Sequence, residues 1–115
     1  IDIPVTHHFA HGTYGREIRI PKDTILTGKI HKYSQINILS LGEISVLTDN
    51  GVKRLKAPYV LVSPPGTKRI AYAHEETVWI TIHGTDETDL EKIEEHFIAQ
   101  NEVEYLEFRR MLCLG

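Results

Sequence analysis

From Tyr14 to His83 apolar and polar residues alternate in short runs, cut by turn residues about every 8 to 12 positions, which predicts antiparallel strands in a sandwich or barrel. Strands are expected over 16–21, 25–31, 35–41, 43–48, 52–56, 59–63, 69–73 and 77–83. Asp49-Asn50-Gly51 supplies residues that tolerate positive φ between two of these runs, so a tight hairpin is expected there. In Ser63-Pro64-Pro65-Gly66-Thr67 two prolines fix φ and forbid ladder donation, and the glycine then permits a sharp bend. This segment reads as a rigid corner.

After Gly84 the period lengthens from two to about 3.6, placing Leu90, Ile93, Phe97 and Ile98 on one face and Glu91, Lys92, Glu94 and Glu95 elsewhere. Thr88, followed by Glu91, has the spacing of a capping box, and Asp86, Glu87 and Asp89 complement the positive end of the helix dipole. A second helical stretch over 102–112 sets Tyr105, Phe108 and Leu112 on one stripe, which suits either padding of the barrel or contact with another subunit. The chain is read as a single domain, residues 1–115, with a barrel over about 14–83 and a C-terminal helical segment over about 86–112.

Charge narrows the partners. With 13 Lys and Arg against 16 Asp and Glu, the net charge of −3 argues against a surface for a nucleic-acid polymer, whose affinity comes from clustered cations releasing counterions. No apolar run approaches the roughly 20 residues of a membrane span, and no secretion signal opens the chain. The lone cysteine, Cys113, forms no internal disulfide, so the fold rests on its core and a reducing, cytoplasmic setting is favoured. The sequence opens at Ile1 rather than Met, which points to a trimmed or incomplete chain.

Two stretches carry a recognisable punctuation. Asp23, Lys29, His31, Gln35 and Gly42 have the spacing of a motif written Gly, five residues, His-x-His, three or four residues, Glu, six residues, Gly. Pro58, Pro64-Pro65-Gly66, Arg69 and Ala73 have the spacing of a second motif, Gly, five residues, Pro-x-Gly, two residues, His, three residues, Asn. A hairpin over 42–51 separates them. In this order the chain resembles the cupin superfamily, over roughly residues 16–83. The resemblance implies an all-β, cupin-like antiparallel barrel (jelly roll) with one or two C-terminal α-helices, and assembly into a homodimer or higher homo-oligomer. The chain also resembles short phage-encoded cupin-like proteins, in Gly28–Gln35 and Ser63–His83, which would place it in the host cytoplasm.

Where the family places metal ligands, this chain has other chemistry. Lys29 and His31, two apart on a strand, share a face, and in a barrel they would project inward with Gln35 and Arg69. Two of these groups are cationic, whereas metal ligands are lone-pair donors. The expected ligand is therefore a small anion, such as a nucleotide, sugar phosphate or organic acid, held by Lys29 and Arg69 with His31, Gln35 and Asn37 as polar partners and Tyr33 for stacking. The bland reading stays open: Lys29 and Arg69 as solvated strand charges, His31 as a wall residue, Gln35 and Asn37 as satisfied buried amides.

No cofactor is expected on this reading. The alternative is a metal-dependent cupin enzyme, an oxygenase, isomerase or lyase, with a divalent transition metal on His31, His74 and one of His7 or His8. Adjacent histidines on a strand point oppositely, so at most one of His7 and His8 would enter. A third alternative is a structural or assembly protein of a virus, with Trp79 and the Tyr105, Phe108, Leu112 stripe as contacts. His83 and His96 are given no role.

Overall fold

The computed structural model describes residues 3–48 and 50–114; Asp49 of the expected hairpin turn lies outside them. In chain order the elements are β1 (Val5–Ala10), β2 (Thr13–Ile20), β3 (Ile25–Thr27), β4 (Ile30–His31), β5 (Gln35–Leu41), β6 (Glu43–Thr48), β7 (Gly51–Lys56), β8 (Tyr59–Ser63), β9 (Ile70–Ala73), β10 (Thr77–His83), α1 (Leu90–Phe97), β11 (Ile98–Ala99) and α2 (Glu102–Leu114). The fold is the expected all-β jelly roll with two C-terminal helices. A five-stranded sheet, β1-β2-β10-β5-β8, faces a four-stranded sheet, β3-β9-β6-β7, and β11-β4 forms a short ribbon.

Side chains of opposite parity line opposite faces of a strand, so the register fixes what each sheet offers the interior. On the five-stranded sheet, Val5 pairs with Ile18, Ile18 with Trp79 and Trp79 with Leu39. The next inward rung is His7, Arg16, Thr81, Asn37 and Leu61, and the one beyond it contains Tyr14 opposite His83, and Gln35 opposite Ser63. The four-stranded sheet packs apolar groups inward: Leu26, Ile44, Val46, Leu55, Ala71 and Ala73. These join Ile20 and Leu39 in the main core, with Ile18, Leu61 and Trp79 packed against it.

Several boundaries differ from expectation. β1 falls in a segment without apolar alternation, and all six of its residues are exposed; its ladder to β2, rather than burial, makes it a strand. The run over 25–31 breaks at Gly28, whose N–H donates to the Arg69 carbonyl, after which β4 leaves this sheet and pairs with β11. The N-cap of α1 is Asp89, not Thr88: its carboxylate accepts from the backbone N–H of Glu91 and Lys92, while the Thr88 N–H donates to Glu87. Ile98 lies past the helix end, in β11.

Two glycines are required by their surroundings. Gly42 has φ 91°, and a Cβ there would meet the Glu76 carbonyl and Thr77. Gly66, in the expected corner, has φ 81°, and a Cβ there would lie 2.6 Å from the Tyr105 ring. The α2 stripe pads the barrel: Tyr105 is buried with Ile30 and Ala99, Phe108 packs beside them, and Leu112 remains exposed. No described helix is long and apolar enough to cross a membrane.

Candidate functional site

Between the two sheets lies a cavity of about 450 Å³. Its wall follows from the register. The four-stranded sheet supplies Leu26, Ile44, Val46 and Ala71; the five-stranded sheet supplies Ile18, Ile20 and Trp79 below and Arg16, Asn37, Thr81, Tyr14, His83 and Gln35 above. His31, Arg69 and the α1 side chains Ile93, Glu94 and Phe97 complete it. Lining residues that keep solvent exposure, namely Val5, His7, Arg16, Thr27, Lys29 and Leu90, mark the opening.

A hydrogen-bonded row fixes the polar wall. Thr81 Oγ1 donates to Asn37 Oδ1 (3.0 Å), Asn37 Nδ2 donates to Ser63 Oγ (2.7 Å), and Arg69 Nη2 donates to the same Ser63 Oγ (2.8 Å). Asn37, Ser63 and Thr81 are buried, so each relies on this row for the hydrogen bonds that water would otherwise supply. Alongside it runs a stack of rings: Tyr14 lies 6.0 Å from His83, and His83 lies 5.6 Å from His31, with Phe97 tilted on His83 at 4.5 Å. His7 Nδ1 meets the Tyr14 hydroxyl at 2.7 Å. Two buried polar atoms of the wall, His31 Nδ1 and Gln35 Oε1, have no hydrogen-bond partner among the described residues.

The wall is electropositive. The described lining carries three cations, Arg16, Lys29 and Arg69, and one carboxylate, Glu94, which is ion-paired with Lys29. Burial, and then the charges of His83, Arg16 and Arg69, push His31 down to about 4. Burial and Arg16 likewise push His83 down to about 4. Burial raises the Tyr14 hydroxyl, partly offset by Arg16. Near neutrality both imidazoles are therefore uncharged and available as hydrogen-bonding groups.

The sequence candidates divide. His31, Gln35, Asn37 and Arg69 are brought together in the cavity wall. Lys29 stands at the rim with its side chain 61% exposed and its ammonium on Glu94, so it does not reach inward as expected. Tyr33 lies outside the cavity, stacked on His96 at 5.2 Å and edge-on to Phe97 and Phe108. Trp79, expected as an outward anchor, has the inward parity; Ile80 and Ile82 take the outer face, beside exposed Ile36, Val60 and Val62.

Arg16 and His83 were not singled out in the sequence. Inward parity on β2 and β10 is the signal that finds them, once Tyr14 and Thr81 are known to face the barrel.

The metal set of the alternative is not assembled. His7 lines the cavity, but His8 lies on the opposite face against Glu17, and His74 is held away by Ser45 Oγ at 2.6 Å. At the four positions where the motifs put metal ligands stand Lys29, His31, Gln35 and Arg69, two of them cations that offer no lone pair. Among the described residues no three His, Cys, Asp or Glu side chains are grouped to hold a metal ion. The donor set does not fit one.

Fold and cavity define a small jelly-roll barrel of the cupin type. The chain is similar to the solved structure of KdgF from Halomonas sp., with a TM-score of 0.61 and 17% identity over 76% of this chain and 81% of that one. It is also similar to a cupin superfamily protein from Desulfitobacterium hafniense, with a TM-score of 0.61 and 10% identity over 74% and 79% of the two chains. An RmlC-like cupin from Shewanella frigidimarina gives a TM-score of 0.55 and 22% identity over 70% and 72%. At such identities the likeness concerns the fold. No protein-family model matches the sequence, and no curated protein matches it.

Proposed function

We propose that the protein binds a small anionic molecule, a nucleotide, sugar phosphate or organic acid, in the barrel cavity and holds it without turnover. The observation that carries this reading is the balance of charge in the wall: Arg16 and Arg69 line it, and the one described carboxylate, Glu94, is engaged with Lys29 at the rim. Guanidinium groups bind carboxylate or phosphate through charge-assisted hydrogen bonds, which strengthen in a partly dry cavity. Arg16 takes the role expected of Lys29. His31 and Gln35 add polar atoms still open to hydrogen bonding.

In the free site the ionisation of His31 and His83 argues against general-base catalysis by either imidazole. A general base works best with a pKa near the operating pH, and imidazoles held at about 4 are weak bases near neutrality. The test is native mass spectrometry of the protein with a panel of organic acids and phosphorylated metabolites. Retention of an anion that is abolished in Arg69→Ala and weakened in Arg16→Ala is the expected result. Unchanged retention in both variants contradicts the reading.

A further inference from the structure

The two walls of the cavity differ in a way that narrows the ligand. The four-stranded sheet lines the cavity with Leu26, Ile44, Val46 and Ala71, and its one hydrogen-bonding side chain there, Thr27, sits at the solvent-exposed opening. On the five-stranded sheet the lower rung, Ile18 and Trp79, continues that apolar surface, and polar groups begin only one rung higher, at Arg16, Thr81 and Asn37. The cavity thus has an apolar floor and far wall, and one polar corner containing Arg16, Arg69, His31 and Gln35.

A molecule dense in hydroxyls suits this poorly. A sugar phosphate seated with its phosphate at the arginines would press ring hydroxyls against Ile18, Ile44 and Val46, which can return no hydrogen bond, and each buried orphan hydroxyl weakens binding. A molecule with one charged end and a hydrocarbon body leaves no such group unpartnered and removes apolar surface from water. We infer that the ligand is an amphipathic organic acid, its carboxylate at Arg16 and Arg69 and its aliphatic or aromatic body against Ile18, Trp79, Ile44 and Val46. Gln35 is 7% exposed and its Oε1 lacks a partner among the described residues, so this corner also accepts a donor, such as a hydroxyl beside the carboxylate.

This inference rests on the anion-binding reading, and one experiment separates the two. The full chain is titrated by calorimetry with three probes: octanoate, glucose 6-phosphate and octan-1-ol. Trp79, the single tryptophan, lines the apolar floor and gives a second, fluorescent readout. Octanoate is expected to bind at least about tenfold tighter than either other probe, the scale on which one charge-assisted contact or one orphaned polar group registers. It should perturb Trp79 emission, and the Arg16→Gln, Arg69→Gln double variant should erase its advantage over octan-1-ol. Glucose 6-phosphate binding as tightly as octanoate overturns the amphipathic class and leaves anion binding standing. Octan-1-ol binding as tightly as octanoate overturns anion binding itself, and the inference with it. Absence of octanoate binding also overturns the inference, and glucose 6-phosphate then decides the parent reading alone. Because Arg16 is exposed at the opening, Arg16→Gln by itself keeps the test valid if the double variant fails to fold.

Discussion

The two sheets of this barrel enclose one cavity, yet their inner faces differ. The four-stranded sheet turns Leu26, Ile44, Val46, Leu55, Ala71 and Ala73 inward; the five-stranded sheet starts apolar at Ile18, Trp79 and Leu39 and turns polar at Arg16, Thr81, Asn37 and His83. A face that only packs needs no polar atom, because each would have to find a partner inside. The five-stranded sheet carries such atoms and pairs most of them in a row, which costs stability if any member is missing. One wall therefore only packs, and the other gives up part of that stability to polar groups, which on the proposed reading serve recognition.

Substitutions that separate the walls test the contrast. The largest loss is expected from Leu55→Ala: the side chain is 6% exposed within the main core and does not line the cavity, and its truncation should cost about 3 kcal/mol by urea denaturation, with anion retention per folded molecule kept. Asn37→Ala removes two hydrogen bonds, strands Thr81 Oγ1 in the interior and leaves Ser63 Oγ with Arg69 alone, so a loss of about 2 kcal/mol is expected, together with weakened ligand retention. Equal effects of the two variants on both readouts would erase the distinction between the walls.

A smaller effect is expected from pH. His31 and His83 lie at about 4 in the folded protein against 6.5 ordinarily, so between these values the unfolded chain binds more protons than the native one. Their contribution is fully present above about pH 6.5 and is lost as the pH falls to about 4. Thermal melts across this window should show a falling midpoint, with a shallower slope in His83→Gln. The smallest effect belongs to Lys29→Ala: its ion pair with Glu94 is solvent-exposed, so stability should change by no more than about 0.5 kcal/mol. A large loss there would mean that the rim, rather than the buried corner, organises the site.

Much of the barrel was legible in the sequence because its strands have one packed face and declare it by alternation. β1 was not, because Val5-Thr6-His7-His8-Phe9-Ala10 buries none of its residues and is held by its ladder to β2 and by side-chain contacts such as His7 with Tyr14. Four members of the polar wall were legible from spacing and parity: His31, Gln35, Asn37 and Arg69 share the cavity wall. Two others, Arg16 and His83, were not, since their inward parity depends on how β2 and β10 pair. Lys29 shows the converse limit. It falls in the break between β3 and β4 rather than on one strand with His31, and its ammonium is fixed by Glu94, 65 residues away on α1.

The most direct measurement is the titration of the His31 and His83 imidazoles by NMR, in the free protein and with saturating octanoate. An anion lodged beside Arg16 and Arg69 favours the charged imidazole, so both groups should titrate near 4 when free and shift upward when the ligand is bound. No movement on binding would contradict an electropositive cavity built to hold an anion, and values near 6.5 in the free protein would contradict the burial that chiefly sets them.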